Sequence, residues 1–291
     1  MSILHKNFEE YNLGREKRFR GDISSATLYI VHDLDAQELE KTISRLKELT
    51  EFKSIETLHS SQLDETLSKL QHKNSAIFLT MHLTLDNEIS NHQKISSKLL
   101  SHSVFQLNPY NKIAKIFDDK YLFYALLTAN AIKQPYSELI AQNHHYDEDS
   151  LKEIQARLLK HSQHFIIKPR NGTEKIDFME FDSINTTEVK EQIAKIHKYD
   201  DCIVQEKINI NKEFKVLYLQ GKLHITKTQS EKASDQALFV ELYEIIDLID
   251  DYAKQNQIIM PEIFSLDVLE TMDKGYIILE ANIRPGALYR H

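Results

Sequence analysis

Two carboxylates, Asp267 and Glu280, sit inside apolar runs near the C-terminal end of this 291-residue chain, in IFSLDVLETMDKGYIILEANIRPG (263–286). The runs read as strands joined by a polar turn, and an acid in the middle of each asks for a reason. A hairpin with a two- or four-residue loop centred on Asp273 and Lys274 sets Asp267 directly opposite Glu280. Directly opposed Cβ atoms lie roughly 4.5–5.5 Å apart, where like charges destabilise. Asn282, two positions beyond Glu280, shares its face. Two carboxylates and an amide oxygen are hard donors, and a divalent cation such as Mg2+ resolves the conflict. A three-residue loop, Asp273-Lys274-Gly275 with a left-handed glycine, shifts the pairing by one and sends the acids to opposite faces, where they are ordinary residues of a wet sheet surface. Spacing alone leaves both registers open.

Cations and further acids lie upstream. In HFIIKPRNGTEK (164–175), Lys168 ends an apolar strand and runs into a turn containing Asn171-Gly172. Such a turn can set an ammonium and loop amides around a phosphate, although a strand-end lysine in solvent has the same pattern. In CIVQEKININKEFKVLYL (202–219), a polar stretch between two apolar strands carries Glu206 and Glu213. Free backbone groups there suit a purine edge and a carboxylate suits a ribose hydroxyl; a plain polar hairpin connection looks alike.

The elements that must position these residues fall into two textures. TLYIV (27–31), SAIFLTMH (75–82) and SVFQLN (103–108) read as strands, and helical spacing of Leu39, Ile43, Leu46 and Leu49 and a helix over 62–71 alternate with them. This predicts a small parallel sheet covered by helices over residues 1–108. A helix is expected from about Lys112 to Ala131, ending before Pro135. From His164 onward short strands dominate (164–169, 177–181, 202–208, 213–220, 222–228), with helices near 186–199 and 237–255 and a connecting loop at 142–150. The broad apolar face of 237–255 is expected to pack on a sheet, with a homodimer interface as its other use.

Composition narrows the function. With 36 Lys and Arg against 44 Asp and Glu, a net charge of −8 argues against a nucleic-acid binder relying on a basic surface. The single cysteine, Cys202, excludes an intramolecular disulfide and reads as a small buried residue. No apolar run of about 18 residues occurs, so no membrane span is expected, and a cytoplasmic location is.

In this order, KIFDDKYLFYALLTANAIKQP, HFIIKPRNGT, CIVQEKININKEFKVLYLQGKL and FSLDVLETMDKGYIILEANIRPG resemble the ATP-grasp superfamily, in particular its carboxylate–amine ligases, over roughly residues 105–286. The resemblance implies an α/β (α+β) chain. An N-terminal α/β domain (1–108) would precede an ATP-grasp domain (109–291), with a small lid at about 135–210 and a metal-binding subdomain at 211–291. It implies ATP and Mg2+, two ions, with Mn2+ as a substitute. Lys120 and Lys168 would hold nucleotide phosphates, Glu206 and Lys207 would form the adenine-binding linker, and Glu213 would take the ribose. Asp267, Glu280 and Asn282 would hold the metal, which favours the opposed register. Lys227 would lie near the transferred phosphate, and Arg284 would face phosphate or substrate. The implied reaction joins a small-molecule carboxylate, an amino acid or peptide, to an amine through an acylphosphate, releasing ADP and phosphate. The loop after Lys168, RNGTEK, has less glycine than the family's, which motivates one alternative, a non-catalytic nucleotide-binding module; the other is a phosphotransferase to a hydroxyl, which the same nucleotide site would serve.

Overall fold

Thr27–His32 (β1) is rich in β-branched and aromatic residues and is largely buried, as a central strand requires. In the computed structural model, which describes residues 23–33, 37–70, 75–84, 87–144, 146–171, 177–226, 236–272 and 275–289, β1 is flanked by Ser54–His59 (β2) and Ala76–Thr80 (β3). With Phe105–Gln106 (β4) they form a four-stranded parallel sheet in the order β2-β1-β3-β4. Gln37–Leu49 (α1), Leu63–Lys69 (α2) and Glu88–Ser101 (α3) supply the crossovers that parallel strands need. The expected parallel sheet is therefore present. Sequence reading overlooked β2 and α3, because β2 is a half-exposed edge strand and α3 buries His92 and Ser96 beside only two apolar residues.

The helix expected over 112–131 is two helices, Lys112–Asp118 (α4) and Lys120–Ala129 (α5). Asp119 separates them: its backbone is extended, and its carboxylate accepts hydrogen bonds from the N–H groups of Tyr121 and Leu122. Aspartate is a favoured N-cap, so the break follows from a local rule. Its consequence is that Lys120 opens a helix instead of lying inside one.

A second sheet is antiparallel, in the order β5-β8-β6-β7, from Ser137–Ile140 (β5), Phe165–Pro169 (β6), Met179–Phe181 (β7) and Cys202–Glu206 (β8). Glu148–Leu158 (α6) and Thr187–Ile196 (α7) cover one face, packing Leu151, Ile154 and Ile193 on Phe165, Ile167 and Val204. Cys202 is in this core, where burial first, then Asp200 and Asp201, push its thiol up to about 12. The third sheet, order β10-β9-β11-β12, is built from Ile210–Leu219 (β9), Lys222–Thr226 (β10), Ile263–Thr271 (β11) and Gly275–Asn282 (β12). Gln236–Gln255 (α8) lays Leu242, Ile246 and Ile249 with α4 and α5 against Val216, Phe264 and Leu266 on one face of this sheet. On the other face, Leu217, Leu219 and Ile263 meet Leu28, Ile30, Ile77 and Leu79 of the first sheet. No helix among the described residues is long and apolar enough to cross a membrane.

Candidate active site

The β11–β12 hairpin begins with Thr271 opposite Gly275, whose φ of +75° is the left-handed region that glycine occupies without penalty. Three residues form the connection, one position earlier than in the three-residue alternative above. Pairing continues through Leu269–Ile277 and Val268–Ile278. Carried on unbroken, this register would put Glu280 on the face of Tyr276 and Ile278, which is the helix-covered core. A β-bulge between Val268 and Asp267 absorbs Leu279 instead, so that Asp267 faces Glu280 and Ser265 faces Asn282. Ala281 and Ile283 then take over the core-facing positions. Both readings of the spacing are thus partly realised: the loop has three residues, and the acids are opposed.

The strand on the other side of β11 adds a residue that sequence reading missed. Lys215 pairs with Asp267 across β9 and β11, and its Nζ donates to both Asp267 oxygens at 2.9 Å. Glu213 lies two positions earlier on β9, exposed and on the same face. Lys215 was legible only with the β9–β11 pairing known, and that pairing spans about fifty residues of chain.

Electrostatics show which lysines converge here. Burial raises the Glu280 carboxyl, but Lys168 and Lys120, then Asp267 and Lys215, outweigh it and hold it below the usual carboxylate range. Asp267 moves the opposite way: burial first and the Glu280 charge second push it up to about 6, against Lys215. The two carboxyls titrate as one coupled pair, in surroundings that favour charge on Glu280 more than on Asp267. Burial pushes Lys168 down to about 8, with Glu280 raising it and Lys120 lowering it. Lys120 is lowered by burial, opposed by Glu280 and Asp200. Among the described residues no group of three or more His, Cys, Asp and Glu that could hold a metal ion gathers; the oxygen donors that the hairpin register brings to one face are Asp267, Glu280 and the Asn282 amide. Hard oxygen donors of this kind suit Mg2+ or Mn2+.

Lys168 leaves β6 on the face opposite its helix-covered core and donates to Gln205 Oε1 at 3.0 Å; Gln205 in turn donates to Ser137 Oγ at 2.9 Å. Gln205, unnoticed in the sequence, thus fixes the Lys168 ammonium. Glu206, by strand alternation, points to the face of Cys202 and Val204, and its N–H donates to the Tyr136 carbonyl. Lys207 pairs through Nζ with Glu180, while its N–H donates to the His164 carbonyl. The Lys207 side chain is therefore engaged with Glu180, and the Glu206 side chain leaves β8 on the face opposite Lys168.

Arg284, just past β12, is held by two carboxylates and a histidine. Its guanidinium donates to both Asp118 oxygens at 2.8 and 3.2 Å, approaches Glu88 Oε1 at 2.7 Å and donates to His92 Nδ1 at 3.1 Å. His92 Nε2 donates to the Asn108 carbonyl, and burial, then the Arg284 charge, push its pKa down to about 3, so the ring accepts from Arg284 as neutral imidazole. Lys227 lies outside the described residues.

Among solved structures, this chain is similar to a D-cycloserine synthetase at 12% identity, with TM-score 0.64 over 90% of this chain and 93% of that one. It is similar to the D-alanine–D-alanine ligase of Coxiella burnetii at 12% identity, with TM-score 0.63 over 90% and 86%. It is also similar to the N5-carboxyaminoimidazole synthetase of Staphylococcus aureus in complex with ADP, at 14% identity and TM-score 0.55 over 89% and 70%. No protein-family model and no curated protein matches the sequence. The parallel sheet, the two antiparallel sheets and the opposed acids with converging lysines thus belong to a chain with the ATP-grasp fold.

Proposed function

We propose that this protein is an ATP- and Mg2+-dependent ligase that joins a carboxylate to an amine through an acylphosphate. The observation that carries the reading is the convergence of Lys120, Lys168 and Lys215 on an opposed Asp267–Glu280 pair, in a fold shared with ligases and synthetases. Transfer of a phosphoryl group is limited by charge, and fixed cations aimed at the transferring oxygens lower its barrier. Lys120 and Lys168 hold the phosphates in this reading, Asp267, Glu280 and Asn282 hold Mg2+, and Lys215 keeps Asp267 oriented. The bound metal supplies charge neutralisation at the phosphates. A carboxylate oxygen of the first substrate takes the γ-phosphoryl group as ADP leaves; the amine then attacks the acyl carbon, phosphate leaves, and the amine's proton is lost.

Glu213 is assigned to the ribose, and the backbone after Glu206 to the base. One neighbour is named for joining D-alanine to D-alanine, which supports small amino acids or peptides as substrates. The test is phosphate release from ATP and Mg2+ with pooled amino acids and small carboxylates, wild type beside Glu280→Gln, with mass spectrometry of the products. Release that needs both a carboxylate and an amine, a condensed mass, and a loss of about a hundredfold or more in the variant are expected. ADP formation without an amide product would favour phosphotransfer, and ATP binding without turnover a regulatory module.

A further inference from the structure

Arg170, two residues beyond Lys168, is hydrogen-bonded through all three of its guanidinium nitrogens. Its Nε donates to both Asp119 oxygens at 2.9 Å, its Nη2 to Asp119 Oδ2 at 2.7 Å and its Nη1 to Asp201 Oδ2 at 2.9 Å. The backbone repeats the link: the Lys120 N–H donates to the Arg170 carbonyl, and the Arg170 N–H to the Asp201 carbonyl. Asn171 follows by donating from N and Nδ2 to Asp200 and by bridging Asp119.

These partners belong to different parts of the molecule. Asp119 caps α5, which packs on the third sheet; Asp201 precedes β8 of the second sheet; Arg170 itself follows β6. One planar fork therefore joins the helix that begins with Lys120 to the strand that ends with Lys168. A guanidinium suits this position because its donors are rigidly arranged, whereas a lysine there would offer a single point charge. The three charged groups are only 12–24% exposed, so the contact is shielded from much of the screening that weakens surface pairs.

We propose that Arg170 is a positioning residue that fixes Lys120 relative to Lys168 by clamping the Asp119 cap of α5 to the second sheet. The inference rests on reading the two lysines as the phosphate-holding pair. It adds that their spacing is set by a side chain that touches neither nucleotide nor metal. The clamp also explains why Asp119 can interrupt the 112–129 segment: its carboxylate serves the helix amides and the guanidinium at once.

The test uses the full chain with Arg170→Met, which removes the fork, and Arg170→Lys, which keeps the charge. In nucleotide-free protein, exchange of the Tyr121 and Leu122 amides is expected to rise about fivefold in Arg170→Met, as for a weakened N-cap. Unchanged protection there overturns the clamp. In phosphate release, kcat is expected to fall about thirtyfold with the KM for ATP changed less than about threefold, the signature of an interaction realised in the transition state. Arg170→Lys should recover little of that loss. Adding Arg170→Met to Lys120→Ala should cost less than about threefold more, because Arg170 acts through Lys120; losses that multiply overturn the proposal. If wild-type protein releases no phosphate, the ligase reading falls, and the exchange measurement still decides whether the clamp exists.

Discussion

At the scale of single residues, the Asp267–Glu280 pair is the most exacting feature of the chain. Its folded-state Asp267 is raised to about 6 from an ordinary value of 3.8, chiefly by burial and next by Glu280. The native protein then binds more protons than the unfolded chain between about pH 4 and pH 6, so stability from this group is present below about 4 and lost as pH rises through about 6. Two pH units correspond to roughly 3 kcal/mol as an upper figure, with the opposing pull of Lys215 already included. The prediction is that metal-free wild type loses about 2 kcal/mol relative to Asp267→Asn between pH 4 and pH 7, read from urea midpoints. Mg2+ at pH 7 should restore the wild type and leave Asp267→Asn where it was. A difference that stays flat with pH would mean that Lys215 alone neutralises Asp267. Of this arrangement, the sequence disclosed the two acids and Asn282 through strand alternation, and Lys168 through its place at a strand end. Lys215 and Gln205 stayed hidden, because each matters through a partner on a strand distant in sequence.

At the scale of elements, a single extra residue decides which face the second acid takes. Strand periodicity made the two strands of the hairpin readable, but a bulge leaves no compositional mark, and the turn alone specifies the register that would bury Glu280 under the helices. Deleting Leu279 should therefore do more than shorten a strand. It forces a choice between placing Glu280 among Tyr276, Ile278 and the helix side chains and breaking the Thr271–Gly275 turn. An unpaired carboxylate in that core costs several kcal/mol, about 3–5 by comparison with broken buried ion pairs. The deletion is expected to lower the unfolding midpoint accordingly and to abolish Mg2+-dependent nucleotide binding in whatever folded fraction remains. Leu279→Ala keeps the residue count and should preserve the register with a much smaller loss. Equal loss in the two variants would show that the Leu279 side chain, rather than the bulge, holds the hairpin. The split at Asp119 is a further case of local chemistry outweighing a periodic pattern, since apolar spacing continues across it while the backbone does not.

At the scale of the molecule, the site lies where one sheet face changes its covering. Along β9 and β11 the cross-strand pairs on that face run Leu219–Ile263, Leu217–Ser265, Lys215–Asp267 and Glu213–Leu269. The first two rows pack on Leu28, Ile30 and Ile77 of the parallel sheet, and the next row carries the charges. The N-terminal sheet therefore packs directly beside the row that carries Lys215 and Asp267. Because the two sheets share this core, they are expected to unfold together. Leu217→Ala leaves a cavity in the shared layer, worth about 2–5 kcal/mol where the surroundings relax little. Amide exchange should show the same loss for Ile30 in the first sheet and Val268 in the third, since both open through one global transition. The cavity also borders the Lys215–Asp267 row, so nucleotide binding in the presence of Mg2+ should weaken about tenfold while the hairpin stays paired. Protection lost at Val268 but kept at Ile30 would mean that the parallel sheet is stable by itself. The packing of that sheet beside Lys215 and Asp267 would then serve the proposed site by shape alone, with no share in the stability of that row.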